Sequence, residues 1–283
     1  MMNAPSRTFL SLAFLSLALT ACTSGRGLTA ADRDAFREAR AEDAHLEIPL
    51  IVQEKDHCGP ATLTMALRHY DAGVRLEDVT AMTFTPRAQG SFQTDLLAAA
   101  RRLGFAPYRI PDMAGVYRAV DAGMPVVVFQ NLGLSFYPVW HYALVTGYAG
   151  ADLLLHTGDQ ADARVPLERL AKTWDRADRW SYVFVPPEVI PVGATLDEAL
   201  GNAEVFAREG HPDEAILLYR AIAQEFPRAF EGPAGLGLLA FEAGDVEYAI
   251  HSFREAVARA PTHPGLRHNL EQVLAQSKKQ RVQ

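Results

Sequence analysis

The order of apolar and polar positions divides the chain into four parts. Residues 9–19 are a predominantly apolar run behind Arg7, followed by Leu19-Thr20-Ala21-Cys22. The run is too short to span a bilayer as a stable helix and has the layout of a secretory signal, so residues 1–22 are set apart from the fold. A short polar tether (23–27) and a charged, Ala-rich stretch (30–44) that predicts a surface helix make up a second part, 23–47. The third part, 48–187, changes period along its length. It opens on 48–52, an apolar run of strand length. From Cys58 onward Leu63, Ala66, Leu67 and Tyr70 recur at helical spacing. A second helix carries Leu96, Leu97, Ala100 and Leu103 on one face, between a Ser91 cap and Gly104. Then 124–129, 141–148, 152–156 and 180–185 are β-branched or aromatic-rich runs bounded by Pro, Gly or Asp, the pattern of strands. Helices first and strands second predict an α+β domain with segregated layers. Pro186-Pro187 and Pro191 mark an extended boundary, with a linker over 188–195.

The fourth part, 196–283, repeats. Gly210, Ala215, Tyr219, Ile222 and Pro227 are each followed 34 positions later by Gly244, Ala249, Phe253, Ala256 and Pro261. That period, with small, aromatic, small-or-aliphatic and Pro positions in this order, resembles the tetratricopeptide repeat. It predicts an all-α domain of helix pairs, closed by a capping helix over 265–276. Two repeats are fewer than usually stand alone, so the array is expected to lean on the preceding domain or on another copy. It offers a groove for a peptide or partner protein rather than a catalytic centre.

Composition narrows the function. Of 283 residues 49% are hydrophobic and 22% charged, and the formal net charge is -7. With no basic run, a nucleic-acid partner is not expected. Small residues followed directly by Cys22 resemble the lipobox of bacterial lipoproteins; the alternative is a plain signal cleaved after Ala21. The lipobox resemblance implies that Cys22 becomes the lipidated first residue of a mature chain held in the cell envelope and facing the periplasm. Thr23 in place of an Asp points to the outer membrane. The only other cysteine is then Cys58, in an oxidising compartment where a lone thiol cannot form an internal bridge and is an oxidation liability. It is either a buried, inert small residue or a nucleophile. No metal site is expected, because histidines do not pair at ligand spacing, and no cofactor is implied.

A nucleophilic thiol needs activation, since its ordinary pKa leaves it protonated at neutral pH. Cys58-Gly59-Pro60 supplies one means: Gly59 allows close backbone approach and Pro60 suits a helix's first turn, so Cys58 faces free N–H groups. Among nine histidines, His57 is adjacent and diverges, and His69 lies about three turns away. His141 opens an otherwise apolar strand and is the candidate base, or else a core histidine bonded to backbone. Asp159, in the turn after the next strand, is the candidate orienting group, or else only a turn former beside Gly158. Gln53, shortly before Cys58, is the candidate oxyanion donor, or else a polar loop residue.

Gln53, Cys58-Gly59-Pro60-Ala61 opening a helix, the strand His141-Tyr142-Ala143-Leu144-Val145-Thr146-Gly147-Tyr148, and Asp159 beyond the next strand together resemble the C39 peptidases. These are papain-like cysteine proteases best known for cutting leader peptides after a double glycine. More narrowly, the layout is similar to proteobacterial lipoproteins with a C39-like domain followed by tetratricopeptide repeats. The resemblance implies Cys58 as nucleophile, His141 as base, Asp159 as orienting residue and Gln53 as oxyanion donor. It departs from the family in having His57 where many members have Asp, a Gln-to-Cys spacing one residue shorter, and Gln160 where Pro is common. With an export signal and no Walker-type loop, the exporter-linked leader-cutting role is not carried over. What remains is a lipid-anchored thiol peptidase acting on a peptide or protein, with residues 130–140 as substrate-facing wall or lid and the repeats holding substrate or a partner protein. The alternatives are acyl transfer or non-peptide amide hydrolysis by the same triad, and a non-catalytic repeat-bearing adaptor.

Overall fold

The computed structural model describes residues 28–38, 43–134 and 136–282. Cys22 and the apolar run before it lie outside the described residues. After α1 (Ala30–Glu38) the chain forms a seven-stranded, wholly antiparallel sheet with helices on both faces. Its strands are β1 (Ala44–His45), β2 (Ala106–Arg109), β3 (Val126–Asn131), β4 (Trp140–Ala149), β5 (Asp152–Thr157), β6 (Gln160–Pro166) and β7 (Ser181–Val185). The order is β2-β7-β3-β4-β5-β6. The short β1 pairs with β4 at Gly147 and Tyr148, beyond Val145, where the pairing of β3 with β4 ends. A Cβ on Gly147 would sit 2.3 Å from the Ala44 carbonyl oxygen, so that approach requires glycine.

Up to the irregularity between Val145 and Gly147 the central strands alternate, and this sorts their side chains into two cores. Val127, Tyr142, Leu144 and Phe184 face α2 (Cys58–Arg68), α3 (Leu76–Thr83) and α4 (Gln93–Arg102). Their neighbours Val126, Val128, Ala143, Val145, Val183 and Val185 face α5 (Met113–Asp121), α6 (Leu167–Asp175) and the first of the C-terminal helices. A sheet covered on both faces explains why its central strands read as apolar runs.

The structure differs from the sequence reading in four places. The run 48–52 is not a strand. It belongs to an extended strap, 46–53, that bonds outside any ladder: the Ile48 carbonyl accepts from His156 Nε2 (2.6 Å), and the Ile51 N–H donates to Met65 Sδ (3.2 Å). Ser91 does not cap α4; Phe92 holds the cap position and the Ser91 hydroxyl has no hydrogen-bond partner among the described residues. The edge strands β2 and β6 escaped the pattern because β2 contains Pro107 and β6 is polar and half exposed. Strand pairing begins at Ala44, ahead of residue 48.

The chain ends in five helices: α7 (Leu196–Arg208), α8 (Pro212–Glu225), α9 (Glu231–Glu242), α10 (Val246–Arg259) and α11 (Pro264–Val282). Each packs on the next in sequence. The bounds of α8 and α10 lie 34 residues apart, and each of the two is preceded by a turn glycine with left-handed φ, Gly210 and Gly244. Tyr219 and Phe253 fill the inter-helix space against Gly235 and Gly237, where a Cβ would meet the rings at 2.4 and 3.0 Å. Arg259 donates to the carbonyls of Ala223, Phe226 and Ala229 at the end of α8. The first three of these helices share a core with the sheet, while α10 and α11 bury Val246, Ala249, Phe253 and Val273 in a separate cluster. Ala199, Ala203 and Phe206 are buried in the same cluster as Val183 and Val185, and Asn202 donates to the Pro107 carbonyl while accepting from Arg101. Val189 and Ile190, in the Pro-rich stretch, pack against that cluster too.

Candidate active site

The strap 46–53 runs alongside β5, tied at His156 and again at Gly158, where the Gln53 N–H donates to the Gly158 carbonyl (3.2 Å). A tight turn follows, with His57 N–H bonded to the Glu54 carbonyl and Asp56 at a left-handed φ of 66°, a conformation Asp tolerates. This turn sets Cys58 as the first residue of α2. Helix propensity alone would not hold it there; the contacts around it do. A Cβ on Gly59 would lie 2.7 Å from the Ser91 Cβ, so glycine lets the 88–93 segment cross directly over the start of the helix.

Tyr142, the residue after His141, locks the helix to the sheet. Its N–H points at the Cys58 sulfur, its carbonyl accepts from Thr62 Oγ1 (3.4 Å), and its hydroxyl donates to the Ser91 carbonyl (3.2 Å). Thr62 lies one turn after Cys58 and is fully buried. Its hydroxyl also accepts from Gln53 Nε2 (3.3 Å), while Gln53 Oε1 accepts from the Gly158 N–H (3.2 Å). A backbone N–H can only donate, so the oxygen end of the Gln53 amide is fixed and its NH₂ end is turned to the α2 side. Cys58, His141 and Gln53 line one cleft of about 950 Å³.

Asp159 is not brought to His141. The ring Nε2 of His141 instead lies 2.7 Å from Thr157 Oγ1. The register explains the exchange. Leu144 faces His156, which places Thr157 on the same face of the sheet as His141, diagonally across the strand pair. Asp159 would come opposite His141 only if β5 continued. Gly158, at a left-handed φ of 61°, turns the chain into β6 first, and Asp159 is left exposed at the hairpin tip, outside the cleft lining. His57 stacks on Phe84, with ring centroids 4.1 Å apart, and its Nδ1 bonds the Lys55 carbonyl.

The electrostatics are those of a neutral pair. Burial pushes the Cys58 thiol up, and the charge of Asp56 adds to that. The N–H groups of Tyr142, Gly59 and Cys58 itself oppose it without reversing it. Burial also pushes His141 below its ordinary value. Both directions favour the uncharged forms, a thiol and a neutral imidazole. If Nε2–H donates to Thr157, Nδ1 is left as a lone pair able to take a proton.

Residues 130–134 and 136–140 form an extension of the β3–β4 hairpin. Leu132 N–H bonds the Val139 carbonyl, Leu134 and Tyr137 exchange two backbone bonds, and Asn131 Oδ1 accepts from the Gly133 and Val139 N–H groups. Tyr137, Pro138, Val139 and Trp140 line the cleft, as does Phe92. Thr157, Thr62, Ser91 and Tyr142 are site residues that the sequence reading did not single out. Only strand register and helix docking reveal them.

Residues 45–182 match the family model described as Peptidase_C39 like family. Three solved structures are similar to about half of the chain. One is described as a C39-like peptidase from Bacillus anthracis (16% identity, TM-score 0.43, 51% of this chain and 98% of that one). Another is a double glycine motif protease from an AMS/PCAT transporter in complex with the leader peptide (24%, TM-score 0.37, 50% and 94%). The third is the peptidase domain of Streptococcus ComA, a bifunctional ABC transporter of a quorum-sensing pathway (23%, TM-score 0.40, 50% and 99%). No curated protein matches the chain.

Proposed function

We propose that the α+β unit is a cysteine peptidase in which Cys58 attacks a peptide carbonyl, His141 is the base and Gln53 an oxyanion donor, with Thr157 in the positioning role first expected of Asp159. The observation that carries this reading is the cleft that gathers Cys58, His141 and Gln53 from three separate segments, each held by its own hydrogen bonds. The match to a peptidase-like family model supports it.

As the sulfur approaches the carbonyl carbon, His141 Nδ1 takes the thiol proton. The carbonyl π pair moves onto oxygen, which is received by the Cys58 N–H and the Gln53 NH₂. Collapse expels the amine, which leaves with the proton from His141, and water then hydrolyses the thioester by the same base. Proton transfer accompanies attack, because the resting pair is neutral, whereas many thiol enzymes begin from a stored thiolate.

The remaining assignments belong to the same proposal. Lipidation at Cys22 would anchor the enzyme in the cell envelope facing the periplasm. The C-terminal helices are read as tetratricopeptide repeats that bind substrate or a partner protein; their 34-residue recurrence and the Tyr219 and Phe253 packing support that reading. The test is a mass-spectrometric search for new peptide termini after incubation with a mixed peptide library, repeated with added alkylamine. Termini that vanish in both Cys58→Ala and His141→Ala are expected. Amine adducts in place of free acids would make the site an acyl transferase. Cleavage that survives Cys58→Ala would overturn the assignment.

A further inference from the structure

The charged residues lining the cleft are all of one sign. Glu54, Asp56 and Asp178 line it, and among the described residues no Lys or Arg does; Lys55, between two of them in sequence, stays outside the lining. None of the three carboxylates is in an ion pair among the described residues. They come from two separate segments: Glu54 and Asp56 from the turn before Cys58, Asp178 from the turn between α6 and β7. Beside them the wall carries three open aromatic rings, Phe92, Tyr137 and Trp140, at 55%, 73% and 51% exposure. An aromatic ring left this open is otherwise a solubility cost. Ring faces and carboxylates share one preference, since both attract cations, the ring through its quadrupole and the carboxylate through its charge.

We propose that this cleft selects a peptide segment in which a Lys or Arg stands beside apolar or aromatic residues, the basic side chain meeting Glu54, Asp56 and Asp178 and the apolar ones meeting Phe92, Tyr137 and Trp140. The inference rests on the peptidase reading for what happens after binding, but not for the binding itself. Asp56 gives it a second consequence. Its charge helps keep the Cys58 thiol protonated, so a substrate cation placed against it withdraws that opposition as the substrate arrives.

The experiment measures binding and cleavage separately. Fluorescence anisotropy on the full chain carrying Cys58→Ala compares three labelled octapeptides of one scaffold: Lys with Phe and Leu, Glu with Phe and Leu, and Lys with Ser and Gln. The first is expected to bind about tenfold more tightly than the Glu peptide, as three partly exposed charge pairs would give, and more tightly than the Lys, Ser and Gln peptide, which keeps the charge but lacks the apolar contacts. The margin over the Glu peptide should shrink as NaCl rises, and should disappear in Glu54→Gln/Asp56→Asn/Asp178→Asn, whose amides keep the shapes. Tyr137→Ala, at the exposed end of the hairpin, should weaken the first peptide but not the third. Equal affinities, a preference for Glu, or no binding of any peptide overturns the proposal. Cleavage by the wild-type chain is scored apart. A Lys preference in binding with no cleavage overturns the peptidase reading alone, and cleavage indifferent to charge overturns the selectivity alone.

Discussion

Replacing Thr157 by Val removes one hydroxyl at nearly constant shape and tests whether that hydroxyl sets the proposed base. His141 Nε2 and Thr157 Oγ1 are 2.7 Å apart, and the ring is largely buried, so in the tautomer protonated at Nε2 the valine leaves a ring N–H without a partner. An unmet buried donor costs about 1–3 kcal/mol. If that cost falls on the reactive tautomer and orientation, kcat/KM drops roughly 5- to 150-fold. Thr157→Ser should restore most of it. Thr157→Asp goes the other way on charge. A carboxylate beside the imidazole should raise His141 by about 1–3 pH units. The sign follows from the role: the base works when neutral, so activity is present above its pKa and lost as pH falls through it. In the native protein that loss lies below 6.5, the ordinary histidine value; in Thr157→Asp it should begin at higher pH. The assay is a pH series of kcat/KM on a quenched fluorescent peptide, with His141 titrated by NMR in each variant. Asp159→Ala is the internal control and should leave both readouts in place. A full loss in Asp159→Ala with wild-type behaviour in Thr157→Val would refute the reasoning and return the role to Asp159.

Three further outcomes are expected. Iodoacetamide should alkylate Cys58 slowly at pH 7 and faster only as pH rises past the ordinary thiol range, because burial and Asp56 hold the thiol up; rapid alkylation at pH 6 would show a stored thiolate instead. Gln53→Ala should lower kcat roughly 100-fold or more with little change in KM if the amide meets the oxyanion, whereas equal changes in KM alone would leave it only a structural bridge. Gly59→Ala places a Cβ 2.7 Å from the Ser91 Cβ and should cost about 1–3 kcal/mol by overpacking, read as a lowered Tm, together with loss of cleavage as the two walls are forced apart.

What the sequence disclosed was local. Cys58-Gly59-Pro60 announces a helix start, and the four apolar strands follow from composition and punctuation. The 34-residue recurrence of small, aromatic and Pro positions marks the helix pairs, whose bounds then repeat at that spacing. What stayed hidden depends on register and on contacts distant in the chain. Whether position 157 or 159 faces His141 is a matter of where one hairpin turns, and a shift of a residue or two carries a side chain to another face or off the strand. Ser91 looked like a cap because Ser often is one; its actual constraint, the crossing over Gly59, has no signature in either segment alone. The polar edge strand β6 carries too little apolar alternation to be read, yet without it Gly158 would not be held where Gln53 meets it. The docking of α7 turns on Asn202 and Pro107, 95 positions apart.

The two bonds between Gln53 and Gly158 have a consequence for how the site fails. Gly158 is the next residue after Thr157, so one peptide unit at the end of β5 holds both the proposed oxyanion donor and the hydroxyl that fixes the proposed base. The two cannot drift independently. Loosening that hairpin tip would disarm the site in a single event rather than by degrees. Damage there, by proteolytic nicking at the exposed Asp159 or by substitution of the left-handed glycine, should yield two populations, fully competent and inert, with few molecules of intermediate rate.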